Sequence, residues 1–389
     1  MKNIYLPNYK NGSIVNLMSS IGQSFGAKMP YNQLKLLPLE ELKNSRNIVL
    51  IVIDGLGFEY FRKRKSFLKN YLVGPITSVF LPTTVSAIAT FLTGVAPQQH
   101  AFTGWFMHLK EAGIVTQIFP NFSPRIGGSS LSEAGFEMEE ILNQPSFFEK
   151  LQVKSFNIIP KDITASDFQK ATSKKARILG YGNLNQFFGQ IKKAINSSNR
   201  RKYIYTYWRQ LDSLNHEYGV DSGKANKHFE EIDKKLSRFL ASFKNSGTAF
   251  IITSDHGFIN TPKKDEIKLE DHPKLKECLT LPLCGEGRVA YCYVRPSKVK
   301  EFEKYVKIKL KKYCYLFKSE DLINRNYFGL FEPNPKLFDR VGDYILILKK
   351  NYILKDSIEK NEKKGRSFIG HHGGVSKDEI LVPLIFIKA

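Results

Sequence analysis

Ile48-Val49-Leu50-Ile51-Val52-Ile53-Asp54-Gly55 is the stretch on which the fold turns. Six aliphatic residues in a row, without polar alternation, describe a strand buried on both faces, as in a parallel sheet. The run stops at a carboxylate and a glycine. In an open parallel sheet that place is the crevice beyond the strands' carboxyl ends, where ligands bind. Two further runs share this texture, Ala249-Phe250-Ile251-Ile252-Thr253 and Ile380 to Ile387, and Tyr203 to Tyr207 is a fourth candidate. Helical periods lie between them, as in Phe229 to Phe243 with Ile232, Leu236, Phe239 and Leu240 on one stripe. Strands alternating with helices predict an α/β fold, a doubly wound and mainly parallel sheet with helices on both faces.

Residues 261–365 have a different texture. Arg288 to Val294 is strand-like, Pro296 to Lys312 helix-like and Asp343 to Leu348 strand-like. The expected organisation is a core of residues 1–260 and 366–389 carrying an inserted, cap-like α+β subdomain at 261–365.

Composition removes several classes. The 389 residues are 42% hydrophobic, too apolar for a disordered chain, and four cysteines are too few for a disulfide scaffold. No stretch approaches the roughly 18 consecutive apolar residues that span a bilayer. Cys278, Cys284, Cys292 and Cys314 lack C-x-x-C spacing and a companion histidine pair, so no structural zinc site is expected of them. Met1 to Gly26 has no continuous apolar run and no small-residue cleavage signal, so the expected location is cytoplasmic.

The 59 Lys+Arg against 37 Asp+Glu give a net charge of +22, which raises the non-enzymatic alternative of a basic nucleic-acid-binding protein. Its candidates are Arg62-Lys63-Arg64-Lys65 and Lys304 to Lys312. The second places Val306 and Leu310 on one side with lysines around them, an ordinary amphipathic face. No recognition helix, zinc finger or stacking platform accompanies either cluster. The expectation is therefore a solvated basic surface that draws in anions, without a specific nucleic-acid partner.

The chemistry sits at strand ends and tight turns. Asp54 ends the first strand and Asp255-His256-Gly257 follows the Ala249 run. Asp212 and His216 lie four residues apart, a spacing that puts both on one face of a helix. Gly370-His371-His372-Gly373-Gly374 precedes the last strand. Pro82 opens a helix with Val85, Ile88, Phe91 and Leu92 on its apolar face, closed by Gly94. Thr83 and Thr84 begin that helix, where free N–H groups favour an anion. Singly, each feature has a plain reading as a cap, a turn or a solvated face. Together they suit two divalent metals in mixed nitrogen and oxygen coordination.

In this order along the chain the blocks resemble the alkaline phosphatase superfamily, and within it the type I phosphodiesterase/nucleotide pyrophosphatase family. The matching pieces are Val52-Ile53-Asp54-Gly55, Pro82-Thr83-Thr84 with Leu92-Thr93-Gly94, Asp212-x-x-x-His216, Thr253-x-Asp255-His256-Gly257, and His372-Gly373-Gly374 before Val382-Pro383-Leu384. They cover residues 47–260 and 368–389. The resemblance implies an alkaline-phosphatase-like fold and two divalent ions, with zinc the family expectation. It implies Asp54, Asp255, His256 and the Thr84 oxygen at one ion, and Asp212, His216 and His372 at the other. In the family the nucleophile stands ten residues before the glycine that ends its helix, which from Gly94 selects Thr84 over Thr83. His371 is the rival to His372, and the following Gly-Gly pair favours His372.

The implied activity is hydrolysis of a small anionic phosphate ester, most of all a phosphodiester or nucleotide pyrophosphate, through a phosphothreonine intermediate. Phosphomonoester or phosphonate hydrolysis on the same site is the alternative. One departure stands out. The family's diesterases place an asparagine downstream of the nucleophile, whereas His100-Ala101-Phe102-Thr103-Gly104-Trp105 contains none. Trp105 is the substrate-binding candidate in its place.

Overall fold

The computed structural model describes residues 4–356 and 368–389; the expected boundary at 365/366 lies outside the described residues. Its centre is the strand Asn47–Ile53, buried along its whole length. Ile48, Leu50 and Val52 project into one apolar core with Leu17 and Phe91. Val49, Ile51 and Ile53 project into another with Phe229, Ile232 and Leu236. A strand sandwiched this way has no solvent face, so its sequence has no alternation.

Seven described strands form the main sheet, in the order Leu72–Thr77, Leu381–Lys388, Thr248–Thr253, Asn47–Ile53, Lys202–Trp208, Lys154–Pro160 and Ala176–Tyr181. The strands Asn47–Ile53, Thr248–Thr253, Lys202–Trp208, Lys154–Pro160 and Ala176–Tyr181 run parallel where they pair. Helices Ile14–Ser24 and Thr84–Thr93 cover one face, while Leu184–Ile195 and Gly223–Ala241 cover the other.

The last strand corrects the expectation of a parallel run. Leu381–Lys388 is antiparallel to both of its neighbours. The cause is the short approach. Only one brief helix, Lys377–Ile380, separates it from the His372 loop. That loop already lies beyond the carboxyl ends of the parallel strands. A parallel entry needs a crossover of roughly a dozen residues or more, so the chain can only turn back.

A second sheet of seven described strands follows the order Cys314–Lys318, Tyr344–Leu348, Val289–Cys292, Cys284–Glu286, Phe106–Leu109, Ile114–Gln117 and Ser123–Pro124. All its pairs are antiparallel. Residues 261–365 supply only the first four of these strands, and the other three come from 106–124. The seam is tight: a side chain on Gly104 would begin 2.7 Å from the Gly285 Cα. This seam carries Glu286 to the neighbourhood of Trp105.

The two basic clusters are surfaces with partners of their own. Arg62 pairs with Glu59, and Arg64 with Asp221 and Asn226. In the Lys304 run, Val306 and Leu310 are buried and Lys307 pairs with Glu303 at 2.8 Å. The four cysteines are buried free thiols. Among the described residues no helix is long and apolar enough to cross a membrane.

Candidate active site

The sheet register assembles the first half of the site. Val52 stands opposite Thr253 in a parallel pair, so two residues further on Asp54 comes level with Asp255. Asp255 Oδ1 accepts from the Gly55 and His256 amides at 3.1 and 3.0 Å. Those bonds tie one oxygen to the backbone and leave Oδ2 buried without a partner. Asp54 is treated alike. The Tyr207 hydroxyl donates to its Oδ2, and its Oδ1 is left buried and unpartnered. His256 Nδ1 is 3.2 Å from the Gly257 carbonyl, which takes the ring proton and leaves the Nε2 lone pair exposed to the site. Nε2 lies 3.3 Å from Asp54 Oδ1 and 3.5 Å from Asp255 Oδ2.

Thr84 enters this group from above. It is the first residue of the helix Thr84–Thr93, its hydroxyl 3.2 Å from His256 Nε2. Thr83 occupies the N-cap position, yet its hydroxyl makes no cap bond and donates instead to Glu286 Oε1. The two threonines thus part: Thr84 faces the Asp54, Asp255 and His256 group, and Thr83 faces away to the second sheet.

The other half comes from a helix and a loop. Asp212 and His216 share one face of the helix Gln210–Tyr218, with His216 Nε2 3.5 Å from Asp212 Oδ1. His216 Nδ1 gives its proton to the Gly370 carbonyl at 2.9 Å, so Nε2 is again the free lone pair. His372 bonds to the Pro82 carbonyl, and its Nδ1 is buried without a partner. Its ring stacks on His256 at 3.7 Å and lies 5.0 Å from His216. His371 turns to the Phe368 carbonyl and belongs to neither ligand group.

Ligand atoms within 4.8 Å of one another form two trios among the described residues, Asp54/Asp255/His256 and Asp212/His256/His372. His256 is common to both, and His216 stands beside the second through Asp212. Burial, then the charges of Asp212 and Asp255, hold the Asp54 carboxyl well above the usual range. Burial, then Asp255 and Glu286, do the same to Asp212. Burial lowers His256, takes His216 down to about 4, and with the His256 charge takes His372 well below the ordinary value. Carboxyl oxygens and imidazole nitrogens converge where burial disfavours both the carboxylate and the imidazolium charge. Such a set is costly as it stands and is satisfied by divalent cations. The donors fit that group.

A model of the type I phosphodiesterase/nucleotide pyrophosphatase family matches residues 48–374. The chain belongs to that family. It is therefore an enzyme of a hydrolase class within the alkaline phosphatase superfamily, a class that depends on metal ions. Solved structures carry the same fold. Murine ectonucleotide pyrophosphatase/phosphodiesterase 5, as an inactive threonine-to-alanine variant in complex with AMP, has a TM-score of 0.65 and 17% identity, with 87% of each chain covered. The human form of that protein gives the same values. Phosphonoacetate hydrolase from Sinorhizobium meliloti, in complex with phosphonoformate, has a TM-score of 0.63 and 17% identity, covering 88% of this chain and 90% of its own. A search of curated protein sequences finds no match.

In this family member several side chains that support the site stand outside every motif. Phe258 packs edge-on against His216 and His372, at 4.8 and 5.0 Å, and tilted against His256 at 5.4 Å. The buried pair Arg288 and Glu379, bridged at 2.9 and 3.1 Å, sits behind the His372 loop. Glu379 also accepts from the Gly374 amide at 2.8 Å. Gly373 has φ +99°, and a side chain on Gly374 would meet Glu379 at 2.7 Å, so the Gly-Gly pair is a steric requirement. Trp105 is half-buried, its ring edge-on to Phe119 at 6.3 Å. Its link to the site is the backbone amide, which donates to Glu286 Oε1 at 3.1 Å.

Proposed function

We propose that this chain hydrolyses phosphodiester or nucleotide pyrophosphate bonds with Thr84 as nucleophile and two divalent ions, zinc being the family expectation. The supporting observation is the place of the Thr84 hydroxyl, at a helix N-terminus and 3.2 Å from His256 Nε2 between two buried carboxylates. Asp54, Asp255 and His256 would hold one ion, and Asp212, His216 and His372 the other. When bound, the ions neutralise charge on the attacking and leaving oxygens of an in-line displacement. Among the relatives, the inactive murine form has a threonine replaced by alanine and binds AMP. A threonine nucleophile and a nucleotide ester are in keeping with that form.

The chain's own residues do the rest. His256, whose Nε2 is 3.2 Å from the Thr84 hydroxyl, would hold its ion through that nitrogen beside Oγ1, and the Thr84 proton is lost to solvent as the oxygen attacks. The first-turn amides of the helix favour the negative charge that gathers there. The Thr84 oxygen forms a bond to phosphorus as the ester oxygen leaves, giving a phosphothreonine. Water then attacks phosphorus, the Thr84 oxygen leaves, and its hydroxyl is restored. The division into a 1–260/366–389 core and a 261–365 insert remains part of the proposal, with strands 106–124 attached to the insert's sheet.

A panel of p-nitrophenyl phosphate, bis-p-nitrophenyl phosphate, p-nitrophenyl thymidine monophosphate and phosphonoacetate tests the activity. The expected order puts the two diesters first in kcat/KM. A clear preference for the monoester or for phosphonoacetate overturns it.

A further inference from the structure

Phe258 stands one residue beyond the Asp255-His256-Gly257 turn and is buried. Its ring meets three imidazoles, those of His216 at 4.8 Å, His372 at 5.0 Å and His256 at 5.4 Å. His256 belongs to the first proposed ion group, and the other two belong to the second. Two glycines keep the slot for this ring open. A side chain on Gly55, directly after Asp54, would begin 2.7 Å from Phe258 Cε2, and one on Gly370 would begin 3.2 Å from Cδ1. Gly55 also lies against Asp212, whose Cα would be 3.2 Å from the same added carbon. The ring therefore stands where four ligand-bearing segments meet. These are the end of the strand Asn47–Ile53, the turn 255–257, the helix Gln210–Tyr218 and the loop 370–372.

Each of the three imidazoles has one hydrogen bond to a backbone carbonyl, His256 to Gly257, His216 to Gly370 and His372 to Pro82. Such a bond selects the tautomer, but the outer torsion of histidine is soft, and a ring held at one atom can still rock. His256 and His372 stack on one another at 3.7 Å, so a displacement of one displaces the other. Phe368 also flanks His216, on the exposed side. Apart from the ligands themselves, Phe258 is the aromatic side chain in ring contact with all three among the described residues. A flat ring at these separations makes oriented contacts that an aliphatic side chain does not reproduce. We propose that Phe258 is a positioning residue shared by the two ion groups, one ring that sets the imidazoles of both. The inference rests on the ligand sets proposed above and names what holds the two in register.

Two parent variants separate the groups. Asp212→Asn leaves the Asp54, Asp255 and His256 set, and Asp54→Asn leaves the Asp212, His216 and His372 set. Cobalt(II) affinity of each parent is measured by competition with a chromophoric chelator, together with the visible absorption of the bound ion, which reports ligand geometry. Adding Phe258→Leu is expected to weaken cobalt(II) about tenfold or more in both parents and to change both spectra. Phe302→Leu, a buried ring in the core of the second sheet, controls for lost packing and should leave both affinities within about twofold. An affinity and spectrum unchanged by Phe258→Leu in either parent overturn the inference, because the ring would then serve at most one group. So does an equal loss in Phe302→Leu. Should Phe258→Leu not fold, Phe258→Met, closer in volume, must give the same double loss. A parent that binds no cobalt(II) at all defeats its proposed ligand set, and this inference with it. Binding in both parents that is indifferent to Phe258 defeats this inference alone.

Discussion

The two halves of the ligand cluster are built by different means. The Asp54, Asp255 and His256 side chains are at most 2% exposed and sit at parallel strand ends, with backbone amides fixing one oxygen of Asp255. The Asp212 and His216 side chains are 16% and 22% exposed and ride on a helix, and their partner His372 comes from a loop held behind by Arg288 and Glu379. The first half is a by-product of the sheet register. The second is assembled, and its order depends on contacts with elements far away. Removing a group from the first half should therefore change chemistry or affinity with little rearrangement. Removing a support from the second should change structure.

The largest effect is expected at Thr84, which faces the sheet-built half from the start of its helix. Thr84→Ala should cost at least about a thousandfold in kcat, the scale seen when a nucleophile is deleted, with the metal content unchanged by elemental analysis. Near-normal turnover would remove Thr84 from the nucleophile role. Arg288→Met strikes the assembled half. Glu379 is fully buried, and stranding its charge is expected to cost about 3–5 kcal/mol in urea unfolding. Metal content should fall toward the share held by Asp54, Asp255 and His256. The double variant Arg288→Met/Glu379→Gln should recover most of the stability. If the single variant is as stable as wild type and keeps its full metal content, the His372 loop does not depend on the pair.

How much of this could be read in the chain follows the same division. The Ile48–Ile53 run and its terminal Asp54 were legible because a doubly buried strand leaves an unbroken apolar sequence. Pro82 and Gly94 bracket a helix that begins at Thr83 and Thr84, and only the family resemblance singled out Thr84 of the two. The Asp212 and His216 spacing was legible because both lie on one helical turn. Glu286 and Arg288 were not, since their partners Thr83 and Glu379 are 203 and 91 residues away and meet only through the seam between the sheets. The direction of the last strand was hidden too, because apolar composition records burial and says nothing of orientation. Tyr207 is an intermediate case. The alternation Tyr203, Tyr205, Tyr207 places all three on one face of the strand. Only the register with Asn47–Ile53 reveals that the last of them reaches Asp54.

Tyr207 therefore gives a finer cut through the sheet-built half. Its hydroxyl donates to Asp54 Oδ2 and leaves Oδ1, the oxygen offered to the proposed ion, without a partner. Tyr207→Phe should fold normally, because the ring's packing survives, and should weaken metal affinity about 10- to 100-fold. Competition with a chromophoric chelator measures this directly. An unchanged affinity would mean that the strand ends alone orient Asp54.

The smallest effect lies beneath the helix Thr84–Thr93 and concerns pH. His100 is fully buried: Nδ1 accepts from the Phe102 amide at 3.0 Å, so the ring proton is on Nε2 and faces Thr90 Oγ1 at 3.1 Å. The Thr90 hydroxyl passes its own proton to the Ser86 carbonyl, which completes a chain of satisfied donors. Burial, with the nearby Arg340 charge, lowers the His100 pKa from 6.5 to about 3. Between those values the unfolded chain binds a proton that the folded one refuses. Stability then rises with pH, and it falls as pH drops below 6.5, by up to about 1.4 kcal/mol per pH unit for this one group. His100→Gln keeps one acceptor and one donor but does not titrate, so its stability should fall less steeply over the same range. Urea unfolding of both proteins at pH 7 and pH 5 measures the difference in slope. Parallel slopes would show that His100 takes up its proton in the folded protein, and that the floor under Thr84 is more open to solvent than the sheet-built half above it.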